Sequence, residues 1–343
     1  MAVKTKNQVK KSQVGHEVLL ELQGVKKYFP IKGGILSKVQ GHVKAVEDVS
    51  LKLYEGESLG VVGESGCGKS TLGRSVLGLE ELTEGKVFFR DHEIQDLKRR
   101  EKLKFVKEMQ MIFQDPYASL NPRQRVGNAL EEVFTMHTDM SAKEKRDAVL
   151  QLLEEVGLKA EHFDRYPHEF SGGQRQRIGI ARAIALNPSF IICDEAVSAL
   201  DVSVQAQVLK LLKVLQEKYN LSYMFISHDL GVVRYFCDRV LVMYLGTTVE
   251  LGSVKSLFDN PIHPYTQALL SAIPRPSVHA ARKKIRLQGD LPNPANPPTG
   301  CPFHTRCPVA QSICSEKKPA WEEVEPQHFA ACHFAGVKIE QDI

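Results

Sequence analysis

Apolar and polar positions divide the chain into three stretches. Residues 18–62 are β-rich: VLLELQGV and ESLGVVG are short apolar runs, the second ending in glycine, as buried strands do. A helix is expected over 69–79, and KVFFR and MQMIF read as further strands. From about 124 to 187 the pattern turns helical, in GNALEEVFTM, KEKRDAVLQLLEEVGL and GQRQRIGIARAIAL. After 188 strands and helices alternate again. FIICD, LSYMFISHD and DRVLVMY read as strands, and VQAQVLKLLKVLQEKY and LGVVRYF as helices. Buried strands alternating with helices predict an α/β fold, a parallel sheet covered on both faces. The helical block predicts an inserted helical subdomain, about 115–187.

Composition sharpens the boundaries. No apolar run approaches the ~18 residues of a membrane-spanning helix, and the basic N-terminus has no apolar segment behind it, so a secretory signal is not expected. The net charge of +4 equals the contribution of Lys4, Lys6, Lys10 and Lys11, so the remainder is neutral and carries no nucleic-acid footprint. Residues 1–17 are expected to be a basic flexible tail. Four of the seven cysteines lie beyond residue 300 and twelve of the 17 prolines beyond 260, which separates a main domain, 18–260, from a Pro/Cys-rich appendage, 261–343. Within it 273–300 reads as extended linker.

Three motifs carry chemistry. GESGCGKST comprises Gly63, Glu64, Ser65, Gly66, Cys67, Gly68, Lys69, Ser70 and Thr71, and fits G-x-x-x-x-G-K-[ST] between an apolar strand and a helix. Its glycines let the backbone approach phosphate, Lys69 reaches the β- and γ-phosphates, and Ser70 meets Mg²⁺. FIICDE ends a strand in two acids: Asp194 suits Mg²⁺, and Glu195 suits a general base for an attacking water. In FSGGQ, Ser171 and Gln174 form an S-x-x-Q capping box, while Gly172 and Gly173 leave the first turn bare, exposing a helix N-terminus that attracts anions.

Signature SGGQ between a P-loop and an acid-tipped strand resembles the ABC ATPases. Other parts of that family's pattern follow in order. Gln114 in MIFQDP resembles the Q-loop, and SALD, Ser198 to Asp201, the D-loop. His228 in FISHD resembles the switch histidine, and Phe29 in KKYFP the aromatic that stacks on adenine. The resemblance implies ATP and Mg²⁺ as cofactors, with Ser70, Gln114 and Asp194 around the metal. It implies Glu195, His228 and Gln114 as catalytic residues, and two ATPase domains packed head to tail, with Asp201 coupling the sites. FQDPYASLNPR, SALDVSVQAQVL, NPIHPYTQALLSAIP and the cysteine tail resemble the ATP-binding subunits of dipeptide and oligopeptide importers. The insert FPIKGGILSKVQGHVKAV and the TLGR after the P-loop resemble the F-type member of the usual ATPase pair. One departure is Ala196, where such proteins usually carry proline. The implied partners are a second ATPase subunit or a second copy, two transmembrane permease subunits and an external solute-binding protein, placing the chain at the cytoplasmic face of the membrane. Non-transport ABC ATPases of DNA maintenance or translation are the alternative. The first would need a coiled-coil or zinc-hook insertion, and the second two cassettes on one chain.

The tail cysteines Cys301, Cys307, Cys314 and Cys332 are spaced C-x5-C-x6-C-x17-C. Four thiolates can bind zinc or an iron–sulfur cluster, and spacing does not decide between them; the family resemblance implies a [4Fe–4S] cluster. Because the tail is far in sequence from Lys69 and Glu195, little direct effect on hydrolysis is expected from it.

Overall fold

A computed structural model describes residues 17–33, 38–95, 97–115, 120–273 and 285–339. The basic tail up to residue 16, residues 34–37 of the insert, Tyr117 and residues 274–284 of the expected linker lie outside the described residues.

In chain order, β1 (Val18–Gly33), β2 (Lys38–Tyr54) and β3 (Ser58–Val62) lead into α1 (Lys69–Val76). There follow β4 (Glu84–Phe89), β5 (His92–Glu93), α2 (Arg99–Glu108) and β6 (Met109–Ile112). The helical block is α3 (Val126–His137), α4 (Ala142–Glu155) and α5 (Gly172–Ile184). Next come β7 (Phe190–Asp194), α6 (Val202–Tyr219), β8 (Ser222–Ile226), α7 (Leu230–Phe236), β9 (Arg239–Tyr244) and β10 (Thr247–Ser253). The C-terminal part holds α8 (Val254–Asp259), α9 (Pro264–Ser271), α10 (Ser312–Glu316), β11 (Glu322–Glu325) and β12 (His328–Ala330).

The strands form two sheets. One is four-stranded and antiparallel, in the order β2-β1-β4-β5; the other has eight strands, β11-β12-β10-β9-β3-β8-β7-β6. Its centre is parallel: β3 lies between β8 and β9, and β7 between β6 and β8. Every residue of β3, β7, β8 and β9 is buried, as strands covered on both faces must be. The register aligns Val61 with Ile226 and Ile226 with Asp194. The loops after β3, β7 and β8 therefore emerge together at one carboxyl edge, where open parallel sheets bind ligands.

The N-terminal part is β-rich as expected, and the C-terminal segment differs from the sequence reading. The N-terminal β-rich part is mostly one long hairpin, β1 against β2. The C-terminal segment is built into the fold: β12 pairs with β10, and β11 with β12, extending the main sheet. Cys301, Phe303 and Cys314 join the larger buried cluster, and Leu287 and Leu291 pack against it. Residues 285–300 run irregularly over the core, and the Pro294 carbonyl accepts from the Lys44 N–H at 3.1 Å. Apolar side chains between the prolines hold this stretch down, which a composition-based linker assignment ignores.

Candidate functional site

The P-loop joins β3 to α1. Gly63, Gly66 and Gly68 all take positive φ. Gly68 shows why glycine is needed: at φ +99°, a Cβ there would overlap the Ala45 carbonyl. The first turn of α1 leaves its N–H groups without intrahelical acceptors, so Lys69, Ser70 and Thr71 present donors to an anion. Lys69 is buried and folds back over the loop, its Nζ donating to the carbonyls of Gly63 at 2.9 Å and Glu64 at 3.0 Å. A phosphate offers stronger acceptors for the same ammonium. Cys67 is buried beneath the loop, and burial pushes its thiol up, consistent with a space-filling role.

The two acids at the end of β7 part company. Asp194 is buried and accepts from the Ser70 hydroxyl at 2.6 Å. Burial pushes its carboxyl up from the usual range, with Ser70 opposing; a divalent cation would favour its charged form. These residues have the oxygen chemistry Mg²⁺ prefers, a carboxylate and a hydroxyl beside the P-loop. Glu195 follows at φ +47°, a left-handed conformation uncommon outside glycine and concentrated at functional sites. Its N–H donates to Ile226 O at 3.0 Å, and its carbonyl accepts from the Ser198 N–H and hydroxyl. So held, its carboxylate receives Gln114 Nε2 at 2.8 Å on one oxygen and lies 3.4 Å from His228 Nδ1 on the other. Three residues from three separate loops thus meet at one carboxylate.

Phe29 is half-buried on β1 and pairs with Val43, two residues before the Ala45 carbonyl that abuts Gly68. Lys27 Nζ lies over one face of its ring, 4.7 Å from the centroid.

The signature helix behaves as a capping box predicts. The Ser171 hydroxyl accepts from the Gln174 N–H at 3.3 Å, and Gln174 Oε1 accepts from the Ser171 N–H at 3.0 Å. The glycines, however, do more than bare the turn. Gly173 is buried, and a Cβ there would strike the Val204 side chain of α6, so it also permits close helix packing. Asp201 is exposed and caps α6, accepting from the Val204 N–H at 3.0 Å.

Sequence reasoning missed the C-terminal contribution to the P-loop. The Glu64 N–H donates to the Tyr265 hydroxyl at 2.9 Å. The Glu64 carboxylate is forked by Arg306, Nη1 to Oε2 at 2.7 Å and Nη2 to Oε1 at 3.1 Å. Glu64 therefore faces the tail, and the tail touches the nucleotide loop directly, a contact that sequence distance did not suggest. The TR between Cys301 and Cys307 was the available signal, and nothing local in it names its partner.

Cys301, Cys307, Cys314 and Cys332 line one small cavity, with His304 and His333 on its wall. Its free volume, about 10 Å³, is at the limit for one water. Burial pushes the thiols of Cys307 and Cys332 up to about 12 and about 11. Among the described residues, no group of three or more His, Cys, Asp or Glu side chains is arranged to hold a metal ion. The donor set suits a soft metal, but the cluster expected from the sequence is not supported by this arrangement.

A cleft of about 1350 Å³ opens between the helical block and the core. Gln114 and Asp194 reach it from the site, and Met136, Val106, Leu79 and Phe113 expose apolar surface along it. Leu120 lies among turn residues in FQDPYASLNPR, a setting that predicts exposure, yet it is buried.

Comparison with known proteins agrees with this geometry. Residues 46–198 match the ABC transporter family, and residues 249–314 the oligopeptide/dipeptide transporter C-terminal region. Among solved structures, the dimeric post-hydrolysis state of the ATP-binding cassette MJ0796, bound to ADP and Pi, is similar. Its TM-score is 0.61 at 29% identity, covering 69% of this chain and 99% of that one. The fold and site thus define an ABC-type ATPase. The oligopeptide transport ATP-binding protein AppF of Bacillus subtilis is 56% identical, covering 93% of this chain and 98% of that protein. The dipeptide transport ATP-binding protein DppF of Haemophilus influenzae is 52% identical, covering 92% and 96%. The chain belongs to this family of ABC transporter ATP-binding proteins with the oligopeptide/dipeptide C-terminal region. Among the described residues no helix is long and apolar enough to cross a membrane.

Proposed function

We propose that this chain is the ATP-hydrolysing subunit of a peptide importer, acting at the cytoplasmic membrane face with a second ATPase subunit, two permease subunits and a solute-binding protein. The observation that carries the reading is the convergence of Gln114, Glu195 and His228 beside an acid-backed P-loop. In this reading Glu195 takes the proton of the attacking water, His228 aligns water and γ-phosphate, and Gln114 reports on Mg²⁺ and γ-phosphate. Lys69 and the glycine loop hold the phosphates, Ser70 and Asp194 the Mg²⁺, and Phe29 the adenine. Ser171–Gln174 serve the ATP of the neighbouring subunit, with Asp201 between the two sites. Residues 18–260 form the ATPase domain, and 115–187 its helical part. A cytoplasmic permease helix docks in the apolar cleft beside Gln114. The relatives' names and the matched C-terminal region support peptides as cargo. Proteoliposomes carrying the complete transporter are expected to accumulate labelled di- and oligopeptides only with ATP inside and binding protein outside. Turnover stimulated by another solute, with no peptide accumulated, would reassign the cargo.

We also infer that Cys301, Cys307, Cys314 and Cys332 hold one metal centre, a [4Fe–4S] cluster, with zinc as the alternative. Four thiols around one cavity supply the donors, and bound metal would deprotonate Cys307 and Cys332, whose thiols burial otherwise keeps neutral. The segment buries few aliphatic side chains of its own, and small modules of that kind gain from a staple. Protein purified without oxygen is expected to be brown, to contain iron and acid-labile sulfide, and to bleach on Cys307→Ser. One zinc per chain in a colourless sample would make it a zinc site, and no metal with an ordered tail would remove it.

A further inference from the structure

The 301–307 loop is wound on itself. His304 N–H donates to Cys301 O at 3.1 Å, Arg306 N–H to Phe303 O at 3.0 Å, and Cys301 N–H to Cys314 O at 2.8 Å. This winding places Cys301 and Cys307 on the small cavity and sends Arg306 to the P-loop. Phe303 anchors the loop in an aromatic nest, its ring centroid 5.2 Å from that of Tyr244 and 5.3 Å from that of Tyr265. Those two tyrosines also meet the site: Tyr265 receives the Glu64 N–H, and the Tyr244 hydroxyl accepts from Arg306 at 3.4 Å. The Arg306 side chain is only 10% exposed and the Glu64 side chain 29% exposed, so the fork is partly shielded from solvent. A paired guanidinium and carboxylate constrain direction as well as distance. Glu64 is thus held by backbone and side chain together, one residue after Gly63, whose carbonyl, like that of Glu64, receives Lys69.

We propose that Arg306 is a positioning residue for nucleotide: through Glu64 it fixes the shape of the P-loop, so that the cysteine loop of the C-terminal segment sets ATP affinity. The inference rests on residues 63–71 being the phosphate cradle. A loop already in its binding shape loses less freedom on binding. Releasing Glu64 restores that freedom and also frees the carboxylate to swing towards the triphosphate. The effect falls on ATP binding and leaves Glu195, His228 and Gln114 in place.

The test measures MgATP affinity by calorimetry, and KM and kcat for ATP in the assembled transporter. Arg306→Gln is expected to weaken binding and raise KM by roughly ten- to a hundredfold, the scale of a lost charge-assisted contact, with kcat at saturating ATP nearly unchanged. Arg306→Lys keeps the charge but not the fork and should recover part of the loss. Glu64→Gln breaks the same pair but removes the carboxylate that could repel the triphosphate, so it should lose affinity in the same direction and less than Arg306→Gln, and the double variant should be no worse than Arg306→Gln alone. Lys69→Ala is the control for the phosphate cradle. Loss of affinity in Lys69→Ala but not in Arg306→Gln or Arg306→Lys would overturn this inference alone. Additive losses in the double variant, or a fall in kcat at unchanged KM, would also overturn it. Unchanged affinity in Lys69→Ala as well would overturn the phosphate-cradle reading with it.

Discussion

Glu195→Gln is expected to lower ATP turnover of the assembled transporter by about 10²–10⁴-fold, the contribution of a positioned acid–base group, while MgATP stays bound. The substitution is nearly isosteric, so the turn fixed by Ile226 and Ser198 survives. A glutamine can still meet Gln114 and His228 after an amide rotation, but it cannot accept the proton of an attacking water. Binding is spared because Lys69, Ser70 and Asp194 are untouched. With hydrolysis blocked, the ATP-bound closed pair should accumulate. Equilibrium ATP binding together with single-turnover hydrolysis separates the two effects. Near-normal turnover would remove Glu195 from the role of base.

The second large effect is expected to appear in the neighbouring subunit. Gly172→Asp places a carboxylate at the N-terminus of the signature helix, where an ATP phosphate from the partner is expected. The position tolerates a side chain: a Cβ there meets only Leu200 Cδ2, at 3.6 Å. An acid in the first turn also suits the helix dipole, so the fold should persist. The carboxylate competes with the γ-phosphate for the same N–H groups. Hydrolysis at the partner's P-loop should fall by about 10²–10³-fold, the scale of losing a preorganised donor to the reacting group. Ser171→Ala should act in the same direction and more weakly, since it removes a cap worth about 1 kcal/mol. This chain's own ATP affinity should remain intact. Mixed assemblies, in which Glu195→Gln silences one site at a time, locate the defect. A defect that follows this chain's own P-loop would refute the head-to-tail arrangement.

Much of this site was legible because its parts are local. The P-loop is a contiguous run whose glycine conformations follow from its composition, and the Ser171–Gln174 box closes over three residues. Central strands were legible because burial on both faces leaves continuous apolar runs. Other features depend on contacts between distant segments. Arg306 and Glu64 are 242 positions apart, and their pairing has no periodicity to reveal it. The dual role of Gly173 needs Val204 of another helix, and the burial of Leu120 needs the helical block to be folded. The short strands β11 and β12 join the sheet through an edge supplied by β10, because local sequence alone gives them too few apolar residues to stand out.

The claim that this carboxylate-centred site powers import is tested most directly by measuring ATP turnover and peptide accumulation in the same proteoliposomes. These would hold the complete transporter with either the natural chain or its Glu195→Gln variant, at saturating MgATP and binding protein. The expected result is that turnover and accumulation collapse together in the variant while ATP remains bound. Sustained peptide accumulation after turnover at this site has been lost would contradict it.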